Sequence, residues 1–227
     1  MSKMPSKETQ MQKNIIDLFF VELDRGLPGP ASVILTGAAA GAIYGNVRQS
    51  VDIDFEIRLK GNKRKRDQSR DEIVQGLIHE VSSKLGIAAN YSDDISHWSM
   101  INYLNYRKTS IPYKKIGQID VRLMAPEYWT LGKMTRFLEI DVKDITKVIK
   151  KKRLRAGRLV SLWARALRAS PLSLTKGQFR RNVENFINMH GKKLWGTAFD
   201  RQKAINDFRR LAGLKAAGKK ALEAKLK

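Results

Sequence analysis

The sequence predicts an α+β fold: a mixed β-sheet with flanking helices, followed by an all-helical, strongly basic C-terminal region. Two observations predict it. Strand-like alternation and short buried-type apolar runs are confined to the first 125 residues, whereas after Pro126 apolar residues recur at helical spacing. The charge divides along similar lines. Residues 143–227 hold 24 Lys and Arg against 5 Asp and Glu, while residues 1–142 hold 20 against 17. The expected division is therefore a domain over 1–125 and a helical, basic region over 126–227.

Each element follows from local pattern. Residues 9–24 place Met11, Ile15, Ile16, Leu18, Phe19 and Leu23 at helical spacing, and Gly26-Leu27-Pro28-Gly29-Pro30 stops them. Residues 32–36 read as a buried strand and 38–45 as a short helix. In the next strand Val51, Ile53, Phe55 and Ile57 alternate with Asp52, Asp54 and Glu56, so the apolar set faces a core and the acids face the other way. A basic run, Lys63-Arg64-Lys65-Arg66, follows in a turn or loop. Residues 67–85 return to helical periodicity, and Gly86 ends it. Residues 87–91, 100–106 and 115–124 read as strands. Beyond Pro126, helices are predicted at 127–136, 140–150, 154–169, 175–190, 199–212 and 214–226.

Composition narrows the chemistry. A chain of 227 residues, 42% hydrophobic, can bury a core. It has no cysteine, which excludes a disulfide framework, a thiol nucleophile and a Cys-based zinc site. Its three histidines, His79, His97 and His190, stand at no metal-ligand spacing. Residues 26–47 are uncharged, but two prolines, five glycines and an Ala-rich centre argue against a membrane span. The polar start lacks a signal-peptide apolar region, so a soluble, cytoplasmic protein is expected. A net charge of +22, concentrated toward the C-terminus, points to a polyanionic partner, most simply nucleic acid. Trp163, Trp195, Phe186 and Phe199 lie among the basic helices, where they either stack on bases or, the commoner case, pack helix against helix.

The chemistry-bearing stretch is the small-residue turn Thr36-Gly37-Ala38 followed by Arg48-Gln49-Ser50-Val51-Asp52-Ile53-Asp54. A turn at a helix start offers backbone N–H groups that suit phosphate. Asp52 and Asp54, two strand residues apart, have Cα atoms roughly 6.6 Å apart, within reach of one divalent cation. A third acid is sought on a neighbouring strand. Asp120, between Ile119 and Val121, has the right alternation, whereas Asp93 and Asp94 sit in a polar loop. Glu56 shares the face of Asp54 but is placed outside the cluster.

With those residues in view, the chain resembles the nucleotidyltransferase superfamily built on the DNA polymerase β-like palm. The form Arg48-Gln49-Ser50-Val51-Asp52-Ile53-Asp54 is similar to that of the minimal, abortive-infection toxin-type members. The resemblance covers about residues 30–150 and implies a metal-dependent transfer of a nucleoside monophosphate from an NTP to an acceptor hydroxyl. By it, Asp52, Asp54 and Asp120 hold Mg²⁺ or Mn²⁺ and are catalytic, and Gly37, Ala38, Arg48, Ser50, Lys133 and Arg136 bind nucleotide. Ala38 departs from the Gly or Ser usual there, leaving backbone alone to bind phosphate. Lys133, Arg136, Asp141 and Asp144 are similar to a lysine-bearing helix and an Asp-containing turn in the same proteins, with Asp144 placed to orient a base. RNA, possibly a tRNA 3′ end, is the implied acceptor, and a cognate antitoxin the implied partner. A protein or small-molecule acceptor, and a non-catalytic nucleic-acid-binding protein on the same fold, are the alternatives.

Overall fold

The structure is a computed structural model that describes residues 7–45, 52–61 and 68–214. Arg48, Ser50, the Lys63–Arg66 run and nearly all of the helix expected at 214–226 lie outside the described residues. The chain divides into two compact units, Met1–Trp98 with Asn105–Trp129, and Ser99–Leu104 with Thr130–Lys227.

In the first unit the order is α1 (Lys7–Gly26), β1 (Ala31–Leu35), α2 (Gly37–Gly45), β2 (Asp52–Leu59), α3 (Gln68–Leu85) and β3 (Ala88–Ser92). A 3-10 turn (Ile95–Trp98), α4 (Tyr106–Thr109), β4 (Ile111–Ile116), β5 (Ile119–Leu123) and the start of α5 (Pro126–Arg136) complete it. The α+β expectation holds: among the described residues five strands form one mixed sheet in the order β3-β2-β1-β5-β4. Central β1 runs antiparallel to β2 and parallel to β5.

Alternation decides the two sheet faces. Val33, Leu35, Ile53, Phe55, Ile57, Ile119 and Val121 are buried. Phe19 and Phe20 of α1 meet Phe55 edge-on, at ring separations of 5.8 and 5.4 Å. Such aromatic contacts add to area burial because the positive ring edge meets a negative face.

Two expected strands turn out otherwise. Residues 115–124 are not one strand but the end of β4, a tight turn and β5. Gly117 makes the turn at φ +53, and a Cβ there would lie 1.8 Å from Asp24 Oδ2 on α1. The Gln118 amide donates to Asp24 Oδ1 at 2.8 Å, fixing the hairpin to that helix. Residues 100–106 form no strand. Ile101 and Tyr103 are buried and Met100 and Asn102 exposed, as a strand would have them. Their backbone is satisfied by side chains instead: Ser170 Oγ accepts from the Asn102 amide at 2.8 Å, and Asn102 Oδ1 from the Leu104 amide. Asn and Ser offer this local alternative to a ladder.

The polar face holds a buried ionic knot. Glu56, 1% exposed, accepts from Arg107 Nε at 2.6 Å and Nη2 at 3.1 Å, from the Ile95 amide and from the Tyr106 hydroxyl. Arg107 also reaches Asp94 at 2.9 Å. A buried carboxylate persists only when paired and hydrogen-bonded in this way.

The described part of the second unit holds the end of α5 with α6 (Glu139–Lys152), α7 (Ala156–Ala169), α8 (Leu174–Trp195) and α9 (Arg201–Leu211). α7 packs on α8 and α9, and Leu159, Leu162, Trp163 and Leu167 of α7 are buried, as are Phe179, Val183, Phe186 and Phe208 of its neighbours. Trp163 and Phe186 are therefore core, edge to face at 5.8 Å, and Trp163 Nε1 donates to Thr130 Oγ1. No described helix is long and apolar enough to cross a membrane.

Burial works against ionisation of Asp94, but bonds from the Ser96 hydroxyl and amide and from Arg107 outweigh it and hold the carboxyl well below its usual range. A lowered folded pKa contributes stability that is fully present above the unfolded value near 3.8 and is lost as pH falls through the folded one. Urea midpoints should therefore drop between about pH 5 and pH 2. Asp94→Asn should flatten that acid limb while lowering stability at neutral pH.

Candidate active site

The site grows out of the chain reversal between β1 and β2. Gly37 opens α2 in the left-handed region at φ +56, a conformation costly for any residue with a Cβ. A Cβ there would also fall 1.6 Å from Asp54 Oδ2, so the carboxylate of β2 rests directly on the Gly37 backbone. The Thr36 amide donates to the Asp54 carbonyl at 2.9 Å, and Trp129 Nε1 to the Gly37 carbonyl at 2.6 Å. Turn and acid strand are thereby locked together. Behind them the buried alanines 38, 39, 40 and 42 let α2 lie close, and the Tyr44 hydroxyl donates to the Met124 carbonyl.

Asp52 and Asp54 are half-buried on the polar face. Between them stands Asn90 of β3, in register with Asp54 on the parallel neighbour. Its Nδ2 donates to Asp52 Oδ2 and to Asp54 Oδ1, both at 2.9 Å. The two carboxylates converge on one amide, which offsets part of their mutual repulsion. Sequence reasoning missed Asn90. An amide in a predicted strand carries no signal until the register of β3 on β2 is known.

Asp120 is not brought to this pair, which corrects the expectation of a three-acid cluster. Ser32 pairs with Arg58 on one side and with Asp120 on the other, so Asp120 stands level with Arg58, four residues from Asp54. That is roughly 13 Å along the strands and about 10 Å across two strand spacings. Among the described residues its ion-pair partners are Lys60 at 3.9 Å and Arg122 at 4.0 Å. The physical reason is strand polarity: β5 runs against β2, so an acid early in β5 meets the end of β2 rather than its beginning.

Lys133 and Arg136 belong to the second unit's own ionic cluster. Lys133, 3% exposed, pairs with Asp141 at 3.0 Å and Asp144 at 2.9 Å, and Arg136 reaches Asp141 at 2.8 Å. Asp144, expected to orient a base, pairs with Lys133, and Asp141 pairs with both Lys133 and Arg136. Ala38 is buried in the first turn of α2.

Among the described residues no group of three or more His, Asp or Glu is arranged to hold a metal. Two converging carboxylates nonetheless fit one Mg²⁺, which keeps several waters and commonly takes only one or two protein carboxylates beside substrate phosphates. They do not fit two ions. No protein-family model, curated protein or solved structure matches the chain.

Two outcomes are expected. Gly37→Ala should lower unfolding stability by about 1–2 kcal/mol from the backbone conformation alone. It should also displace Asp54, seen as weakened Mn²⁺ binding by electron paramagnetic resonance. Asn90→Ala should weaken Mn²⁺ binding by roughly 10-fold or more, the usual cost of losing a hydrogen-bond partner of a ligating group. Far-ultraviolet circular dichroism should be unchanged in that variant.

Proposed function

We propose that the protein is a divalent-cation-dependent nucleotidyltransferase on a polymerase β-like palm, moving a nucleoside monophosphate from an NTP to a hydroxyl of RNA. The observation that carries this reading is the convergence of Asp52 and Asp54 against the left-handed Gly37 turn at the start of α2. A phosphate-binding backbone and a cation-binding acid pair are what a triphosphate requires, and here they touch.

In this reading Asp52 and Asp54 hold the cation, which when bound neutralises charge on the phosphate oxygens. The first-turn amides of α2, those of Gly37 and Ala38, receive triphosphate oxygens without help from a side-chain hydroxyl. Trp129 keeps the Gly37 carbonyl turned away and the amides aligned. The acceptor oxygen attacks the α-phosphorus, the α–β bridge breaks and pyrophosphate leaves. The hydroxyl's proton passes to Asp52 or to solvent, since Asp120 lies at the far end of the polar face. RNA is favoured as acceptor by the net charge of +22, which repels cationic small molecules. A tRNA 3′ end and a neutralising antitoxin are the finer proposals drawn from the motif's toxin-type form.

One observation favours a second reading, a non-catalytic nucleic-acid-binding protein on the same fold: Asp120 does not join the acid pair. The two readings separate on incubation with Mg²⁺, each α-labelled NTP in turn and total tRNA. Label should pass to RNA with the wild type and stay at background with Asp52→Ala. Salt-sensitive RNA binding with no label transferred, unchanged in that variant, would establish the second reading.

A further inference from the structure

We propose that the exposed face of α7 is the RNA-binding track of this protein, with Arg155, Arg158, Arg165 and Arg168 gripping successive backbone phosphates. The proposal rests on RNA being the polyanion argued for above, and it names the surface that takes it.

Arg155 caps α7, and the other three lie along it at helical spacings of three, seven and three residues. At about 100° per residue the three helical arginines fall within an arc of roughly 80°, over a length of about 15 Å. All four are exposed. The opposite face, Leu159, Val160, Leu162, Trp163 and Leu167, is buried. The helix carries no acid. Among the described residues Arg155, Arg165 and Arg168 form no salt bridge, whereas on α8 and α9 Arg180 and Arg209 are paired with Glu184 and Arg210 with Asp207.

Helix electrostatics disfavour this arrangement. Arginines three apart repel on a helix surface, and Arg155 and Arg158 set positive charge at the helix end that prefers negative. A merely solvated face would mix signs, as α8 and α9 do. The guanidinium fork suits phosphate, which it can grip with two parallel hydrogen bonds. Two other polyanionic partners fit less well. An anionic membrane would need an apolar helix face to insert, and that of α7 is already buried within its own unit. A protein interface has an apolar or aromatic centre, but between these arginines α7 shows only Gly157, Ser161 and Ala169.

The test compares Arg165→Gln/Arg168→Gln with a charge-matched control on α9, Lys203→Gln/Arg210→Gln, by fluorescence anisotropy of labelled total tRNA across a salt series. The track variant should raise Kd at least roughly 10-fold near 0.1 M salt and cut the slope of log K against log salt by about 1.5. The control should move Kd less than about twofold. Equal losses in both variants would overturn the track, leaving only diffuse charge. So would unchanged RNA binding in the track variant, including the case where it loses binding to polyglutamate or to anionic vesicles instead. The transferase reading is judged separately. Label transfer by the wild type with unaltered binding by the track variant removes the track alone. Lost binding in that variant with no transfer by the wild type keeps the track and removes the enzyme.

Discussion

The first unit depends on the polarity of one short strand. β1, five residues long, is hydrogen-bonded to β2 running against it and to β5 running with it. This sets which ends of the strands meet. The C-terminal end of β1, where the chain turns at Gly37 into α2, lies beside the N-terminal end of β2, where the two aspartates are. The same polarity sends the first residues of β5 to the opposite edge. A site built on this sheet therefore gathers what ends β1 and what begins β2, and Asp120 falls outside it for the reason that Asp54 falls inside.

Each unit also spends charge inside itself. In the first, Glu56 is two residues from Asp54 on the same strand, yet its carboxylate is sealed by Arg107, Tyr106 and a backbone amide. In the second, Lys133 is sealed by Asp141 and Asp144. Buried pairs of this kind seldom add net stability over apolar side chains, but losing one partner is costly because the other is left charged and dry. Their effect is to fix geometry: Glu56 holds Ile95, Tyr106 and Arg107 to the strand that carries the aspartates.

Much of this was legible in the sequence. The α+β class, helix α1 and its Gly-Pro stop, β2 with its apolar and acidic faces, and the helical run beyond Pro126 all follow from local periodicity, which reports burial directly. What failed were properties that periodicity does not carry. The alternation over residues 100–106 was real as burial but not as pairing, because Asn and Ser side chains took the backbone bonds. The Gly117 turn was hidden inside an otherwise continuous strand pattern. Strand order and direction are long-range facts, so the sequence could propose Asp52, Asp54 and Asp120 as one set but could not reveal that Asp120 is level with Arg58. Asn90 escaped for the complementary reason, since its importance lies wholly in its partners.

That amide has an evolutionary consequence. Asn and Asp have nearly the same shape, and their codons differ by a single base at the first position. At position 90 the exchange would replace one NH₂ by an oxygen, turning a donor shared by two carboxylates into a third carboxylate beside them. A centre with two acids and one with three are thus neighbours in sequence space, separated by one nucleotide and by no change of backbone. In the proposed cation site that single exchange would add one negative charge beside the two aspartates.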